Sequence, residues 1–469
     1  MTLYYFLVVI AALGFLMFMA YKGHSVILFA PIAAMGAVLL TTPALVAPMF
    51  TGLFMAKLVG FVQNYFPVFL LGAIFGKVIE ISGFARSIVT AVIRVVGKQA
   101  MLAIVLVGAI LTYFGVSLFV VVFAVYPFAA EMFRQADIPK RLIPGTIALG
   151  AFTFTMDALP GTPQIQNIIP TTFFKTTSYA APILGIVGAL FVFGLGMTYL
   201  EWQRRKAAAA GEGYGTGHKN EPKSFAEDAK LPNPLVAVLP LLVVAIANYA
   251  LTNWVIPQAF PNEVKFKDGV VGTTKDVAVS VSSNIAIWAV EGALLLGILL
   301  VVALAWKPVS THFTEGSKDA IGGALLASLN TASEYGFGGV IAALPGFKIV
   351  ADGLSSIPNP LVNEAITVTS LAGVTGSASG GMSIALGAMA ETFKANAAAA
   401  NIPMEVLHRV ASMASGGMDT LPHNGAVITL LAVTGLTHKT SYKDIFAMTV
   451  IKTLAVFVVI AFYYLTRLY

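Results

Sequence analysis

Phe152 to Pro170 reads FTFTMDALPGTPQIQNIIP. The stretch lies between long apolar runs in a chain that is 58% hydrophobic and only 11% charged. It holds an aspartate, several amides, a glycine and the prolines Pro160, Pro163 and Pro170. Prolines inside a helix remove hydrogen bonds and clash with the preceding turn. A carboxylate in hydrocarbon is costly unless it has a partner. An apolar chain that places both here predicts a helix deliberately interrupted at membrane depth.

Working outward, Leu3 to Ala20, Val26 to Phe50, Met101 to Ala130, Ala180 to Leu200 and Leu231 to Asn262 contain no Asp, Glu, Lys or Arg. Mean hydropathy is +0.85. A membrane span needs roughly 20 apolar residues, so the fold class is an all-α polytopic membrane protein with about ten to twelve crossing or half-crossing segments. The apolar residues come in blocks rather than alternating, which argues against an outer-membrane barrel. The N-terminal apolar stretch lacks a basic flank and a cleavage site and reads as a retained helix. With no cysteine, disulfides, thiolate catalysis and Cys-ligated metals are excluded. The net charge of +6 follows from Lys and Arg in short connections, as the positive-inside rule requires, and implies no nucleic-acid partner.

The polar stretch Glu201 to Lys230 divides the chain and reads as a flexible, cytoplasmic linker, rich in Gly, Ala and basic residues. The organisation is therefore residues 1–200, a linker over 201–231 and residues 232–469. The halves repeat. Met156–Pro160 (MDALP) matches Met418–Pro422 (MDTLP), and Asp157 and Asp419 stand 262 positions apart. Further upstream, Tyr65, Gly76 and Gly83 can be laid on Tyr335, Gly346 and Gly353 at an offset of 270. Met101 to Ala130 is too long for one span but suits a re-entrant hairpin over about 99–131, with its tip near Gly115. Val368 to Ala390 breaks at TGSASGG and suits a second hairpin over about 361–392. Each hairpin leads into an unwound helix, at about 141–178 and 405–437. Interrupted segments at matching places in two halves point to a transport site, and such repeats are commonly inverted.

The polar groups of the breaks and tips are the candidate site. Substrate-binding candidates are Ser117, Thr162, Gln164, Asn167, Thr375, Ser377, Ser379, His423 and Asn424. Asp157, Asp419 and Glu334 are candidates for proton or cation coupling. Either aspartate can also serve as an N-cap, and the roles are compatible. His423 is read either as a carboxylate-binding or titrating group or as a packing histidine. Glu334 is functional if it lies within the span and interfacial if the span starts later. No Lys or Arg is assigned to the site, so the substrate's charge is expected to rest on helix N-termini, hydroxyls, amides, His423 or a co-transported cation. No metal ligand set or cofactor is expected.

FTFTMDALPGTPQIQNIIPTTFF and GGMDTLPHNGAVITLLAVTG, in a chain of this layout, resemble the gluconate permease (GntP) family, and within it members described as D-β-hydroxybutyrate permeases. The resemblance implies inverted repeats, a homodimer in the cell inner (plasma) membrane and an elevator-type movement. It also implies a small carboxylate substrate such as gluconate or a short hydroxy acid, carried with protons. The tips read FGVS and TGSASGG rather than carrying an S-N-T motif, which weighs against sodium coupling of the dicarboxylate-carrier kind and leaves it as the alternative. An intramembrane serine protease built on Ser117 and His423 is a distant alternative, because a second hairpin has no use in it.

Overall fold

The computed structural model describes residues 2–22, 24–96, 99–116, 118–222, 231–267, 276–347, 349, 353, 357–422 and 424–469. Apolar runs become helices. Among the described residues, Pro43–Ile81, Pro182–Ala209, Pro234–Ala259, Val281–Leu304 and His438–Thr466 are long and apolar enough to cross a membrane, and Thr2–Tyr21 and Val26–Thr41 are shorter apolar helices. Phe84–Val96 differs: it buries Phe84, Ala85, Ile88 and Val89 and keeps Arg94 in its last turn, the pattern of a helix lying along a surface. Together these elements make an all-α, multi-pass membrane protein.

Where glycine and proline gather, the helices stop. The first hairpin has arms Ala100–Tyr113 and Leu118–Gln135; the second has arms Pro360–Thr375 and Ala378–Ala399. The first broken helix runs Ile143–Ala151, passes through one turn at Phe154–Asp157, and resumes as Ile165–Phe174. The second runs Met404–Ser415 and resumes as Gly425–Thr434. In each half the first hairpin arm packs on the first part of its own broken helix. The second part of each broken helix reaches across to the second arm of the other half's hairpin. The closing helices Pro182–Ala209 and His438–Thr466 pack on each other. This reciprocal pattern is what a pseudo-two-fold relation produces.

A second group of helices is built around the long helices Pro43–Ile81 and Trp306–Ala343, which pack side by side with Val26–Thr41 and Val281–Leu304 against them. The ends of the long helices are offset by 263 and 262 positions, the same shift that separates the aspartates. The offset of 270 is thereby corrected: Tyr65 aligns with Ala327, and Glu334 with Gly72. Tyr65 and Tyr335 are nonetheless neighbours, with ring centroids 4.7 and 5.9 Å from that of Phe61. The sequence did not signal the small antiparallel ribbon Glu263–Lys267 with Asp276–Ser280.

The connection between the halves also differs from its sequence reading. Helix Pro182–Ala209 continues well past Glu201. The residues after it are held rather than free. Glu221 bridges Arg134 at 2.6 Å and Lys140 at 2.8 Å, Tyr126 donates to the Asn220 carbonyl, and the Asn220 amide donates to the Ala432 carbonyl. Burial alone would raise the Glu221 carboxyl, but hydrogen bonds from Lys140, Arg134 and Tyr214 outweigh it and hold the group below the usual carboxylate range. A depressed carboxyl contributes stability that is present above the ordinary Glu value and is lost as pH falls through the folded one. Glu221→Gln should therefore speed amide hydrogen exchange over residues 210–222 several-fold at neutral pH, while exchange within Pro182–Ala209 stays unchanged.

Candidate functional site

Each break strips helical partners from backbone groups, and in an apolar interior those groups must find others. At the first break, the Asp157 carbonyl accepts from Arg409 Nη1 at 2.9 Å and from Ser412 Oγ at 2.8 Å. Arg409 also donates to the Ala180 carbonyl through Nε and Nη2, at 3.2 and 2.8 Å, and to Asn167 Oδ1 at 3.0 Å. Arg409 is wholly buried. The second half of the chain thus supplies donors to the broken backbone of the first.

The side chains of the two matched aspartates meet on one cation. Lys452, in the middle of the last helix, places Nζ 3.0 Å from Asp419 Oδ1, 3.8 Å from Asp157 Oδ2 and 2.7 Å from the Phe152 carbonyl oxygen. All three side chains are buried. Gly416 makes this approach possible, because a Cβ there would collide with Asp157 Oδ2 and lie 2.8 Å from Lys452 Cε. The expectation that no Lys or Arg stands in the site is therefore corrected: Lys452 and Arg409 are both part of it. Lys452 was legible as a lone cation within an apolar helix, which marks function by default; Arg409, beside His408 in the mixed helix Met404–Ser415, carried no such signal.

The hairpin tips are tied to the breaks by a pair of matching amides. Gln164 Nε2 donates to the Thr112 carbonyl at 2.7 Å, and Asn424 Nδ2 donates to the Gly376 carbonyl at 2.7 Å. Asn424 Oδ1 also caps the resumed helix through the Ala426 and Val427 N–H groups. Asn167 is corrected from ligand-binding to positioning. Its Nδ2 donates to the Thr162 and Ser178 carbonyls, and its Oδ1 receives Arg409 and lies 3.1 Å from His408 Nε2. That exhausts an amide's two donors and two lone pairs. Thr162 is buried with its hydroxyl unpartnered, as is the carbonyl oxygen Oε1 of Gln166. Ser117 and His423 lie outside the described residues.

Glu334 sits apart from the aspartates. It projects from the long helix Trp306–Ala343 against the start of the second hairpin's second arm, where Ser377 hydrogen-bonds its side chain and Oε2 has no partner. Thr331 Oγ1 lies 3.1 Å from Ser379 Oγ beside it. A Cβ on Gly380 would strike the Glu334 carboxylate. Thr375 Oγ1 is turned back to the Leu371 carbonyl, 3.0 Å away. The residues taken from sequence as one set thus form two clusters, one at the crossed breaks and one between the second hairpin and a long helix. A surface groove of about 750 Å³ between the base of the first hairpin and helix Pro182–Ala209 is lined by Gln99, Met101, Trp202 and Arg205, and lies away from both clusters.

Replacing Arg409 by Met should strip the buried Ala180 carbonyl of its side-chain donors, at about 1–3 kcal/mol, and take one donor each from the Asp157 carbonyl and Asn167 Oδ1. The purified variant should unfold at a clearly lower temperature than the wild type. Gly416→Ala should fold but lose most transport, because the added methyl displaces Lys452 from the aspartates; transport at the wild-type rate would contradict this geometry.

No protein-family model matches the chain. Its fold superposes on the crystal structure of the Alcanivorax borkumensis YdaH transporter with a TM-score of 0.49 and 15% identity, covering 86% of each chain. It is 60% identical over 471 residues to the uncharacterized transporter YxjC of Bacillus subtilis (strain 168), covering 98% of this chain and 99% of that one. At that identity over both whole lengths, the chain belongs to the YxjC family of membrane transporters.

Proposed function

We propose that the protein is a secondary active transporter of a small hydroxy-monocarboxylate, such as D-3-hydroxybutyrate or gluconate, coupled to a proton. The observation that carries this reading is the meeting of Asp157 and Asp419, one from each repeat, on a single buried lysine. Carboxylates inside a membrane bundle mark proton relays and ion pathways. Their place at paired helix breaks is where secondary carriers build substrate sites.

The rest of the reading follows from the order of parts. Each half contributes two apolar helices, a long helix, a broken helix and a closing helix; a re-entrant hairpin that returns to the face it left adds no crossing. An odd number of crossings inverts one half against the other and leaves the basic connection on the cytoplasmic side. Hairpins, broken helices and closing helices would make one body and the long helices with their neighbours another, with Trp306–Ala343 packed on the second hairpin arm Ala378–Ala399 between them. An elevator movement would slide the first against the second, with the second making a homodimer in the inner membrane. Thr162, Gln164, Thr375 and Asn424 are the described residues that would contact the substrate in this reading.

Sodium coupling is the second reading, and the Glu334 cluster favours it. An unpartnered carboxylate oxygen beside Ser377, Ser379 and Thr331 offers the all-oxygen surroundings that hard cations take.

Uptake of radiolabelled D-3-hydroxybutyrate into proteoliposomes, under an inward proton gradient without sodium, should show accumulation. Unlabelled gluconate should compete only if the site accepts sugar acids. Uptake that instead requires sodium, and is lost in Glu334→Gln, would establish the second reading. Asp419→Asn should abolish accumulation while exchange continues, and an unchanged pH dependence in that variant would reject its coupling role.

A further inference from the structure

Of the two buried cations at the crossed breaks, only one is free to change partners. The Arg409 guanidinium is committed to the Ala180 and Asp157 carbonyls and to Asn167 Oδ1. Lys452 has three N–H donors. Two are used at short range, on the Phe152 carbonyl at 2.7 Å and on Asp419 Oδ1 at 3.0 Å; the remaining contact, Asp157 Oδ2, is 3.8 Å away and beyond hydrogen-bond reach. The ammonium therefore sits between the two breaks with one donor unspent.

We propose, on the basis of the carboxylate-transport reading above, that Lys452 is the group that binds the substrate's carboxylate, and that a proton on Asp419 releases it to do so. With both aspartates ionised, Asp157, Asp419, Lys452 and Arg409 sum to zero charge. A substrate anion arriving alone would leave a buried net negative charge, and a proton arriving alone a buried net positive one; such uncompensated charge is strongly unfavourable in a dry interior. Proton and carboxylate together restore neutrality. The proton moves from water to a carboxylate oxygen of Asp419, the ammonium turns from that oxygen to the substrate, and both steps reverse on the far side. One proton and one anion cross per cycle, and no net charge moves.

The other groups near the ammonium do not offer this exchange. His408 is turned toward Asn167 and Thr176. Asp444 is engaged two turns away with Arg141, Tyr199 and Gln203. Thr420 and Thr449 bond each other at 2.6 Å, and Thr453 donates to the Gly417 carbonyl. The first repeat supplies no matching cation, because its closing helix carries Gly196 and its neighbours in the corresponding middle turns.

The test is counterflow and gradient-driven uptake of labelled D-3-hydroxybutyrate and gluconate in liposomes holding the full chain. In wild type, proton-driven accumulation should be the same at zero and at inside-negative potential clamped with valinomycin; dependence on the potential overturns electroneutral coupling. Lys452→Met alone strands two carboxylates, so the decisive comparison is made on the Asp419→Asn background. Asp419→Asn should keep counterflow, independent of pH. Adding Lys452→Met should raise KM at least tenfold, and Lys452→Arg in its place should recover part of the loss. Equal KM values with and without Lys452→Met overturn the proposal while leaving the transport reading intact. A wild type that takes up neither acid overturns that reading, and this inference with it.

Discussion

A lysine buried to 3% exposure in the middle of an apolar helix sets the terms for everything around it. An ammonium taken out of water costs several kcal/mol unless charge and hydrogen bonds compensate. Lys452 finds both only where the two helix breaks cross, so the last helix, the turn at Phe154–Asp157 and the stretch around Gly416 and Asp419 are fixed relative to one another by one group. A missing partner would leave a charge unpaired, at a cost of about 3–5 kcal/mol. That exceeds what nearby methyl contacts could return, so here the electrostatic demand outranks packing. Gly416 reflects the same ranking: a side chain is given up so that the charges can approach.

Broken backbone creates a second demand. The first break is held by Arg409, Ser412 and Asn167, and the second by Asn424 and by Thr453, which donates to the Gly417 carbonyl. Much of the first set comes from the opposite repeat. The first half does not keep its interruption dry by itself, which ties the first broken helix to the second. Gln164 and Asn424 then carry the position of each break to its hairpin tip.

The repeats share a frame but not a charge pattern. Asp157 and Asp419 are matched, and Gln164 and Asn424 play matched parts. Lys452, Arg409 and Glu334 belong to the second half alone. Matched helix breaks thus carry unmatched charges. Glu334 stands on the long helix, which belongs to the other helix group, and meets the second hairpin at Ser377.

The sequence by itself determined the class, the repeat, the hairpins and the breaks. Length of apolar run, proline and glycine act locally, and a membrane leaves an unpaired backbone few options. The MDxLP pair was legible for the same reason. Lys452 was also visible as a lone cation in an apolar run, yet nothing local said that it faced Asp157, some three hundred residues earlier. Asn167 looked like a ligand group until its four hydrogen bonds were placed. The linker looked flexible because its composition is that of a flexible chain, while Glu221, Arg134, Lys140 and Tyr126 bind its first part to the bundle. Partner identity is a property of the tertiary arrangement: burial, charge pairing and the exhaustion of donors depend on which distant segments meet, and one-dimensional patterns of hydropathy carry no record of that.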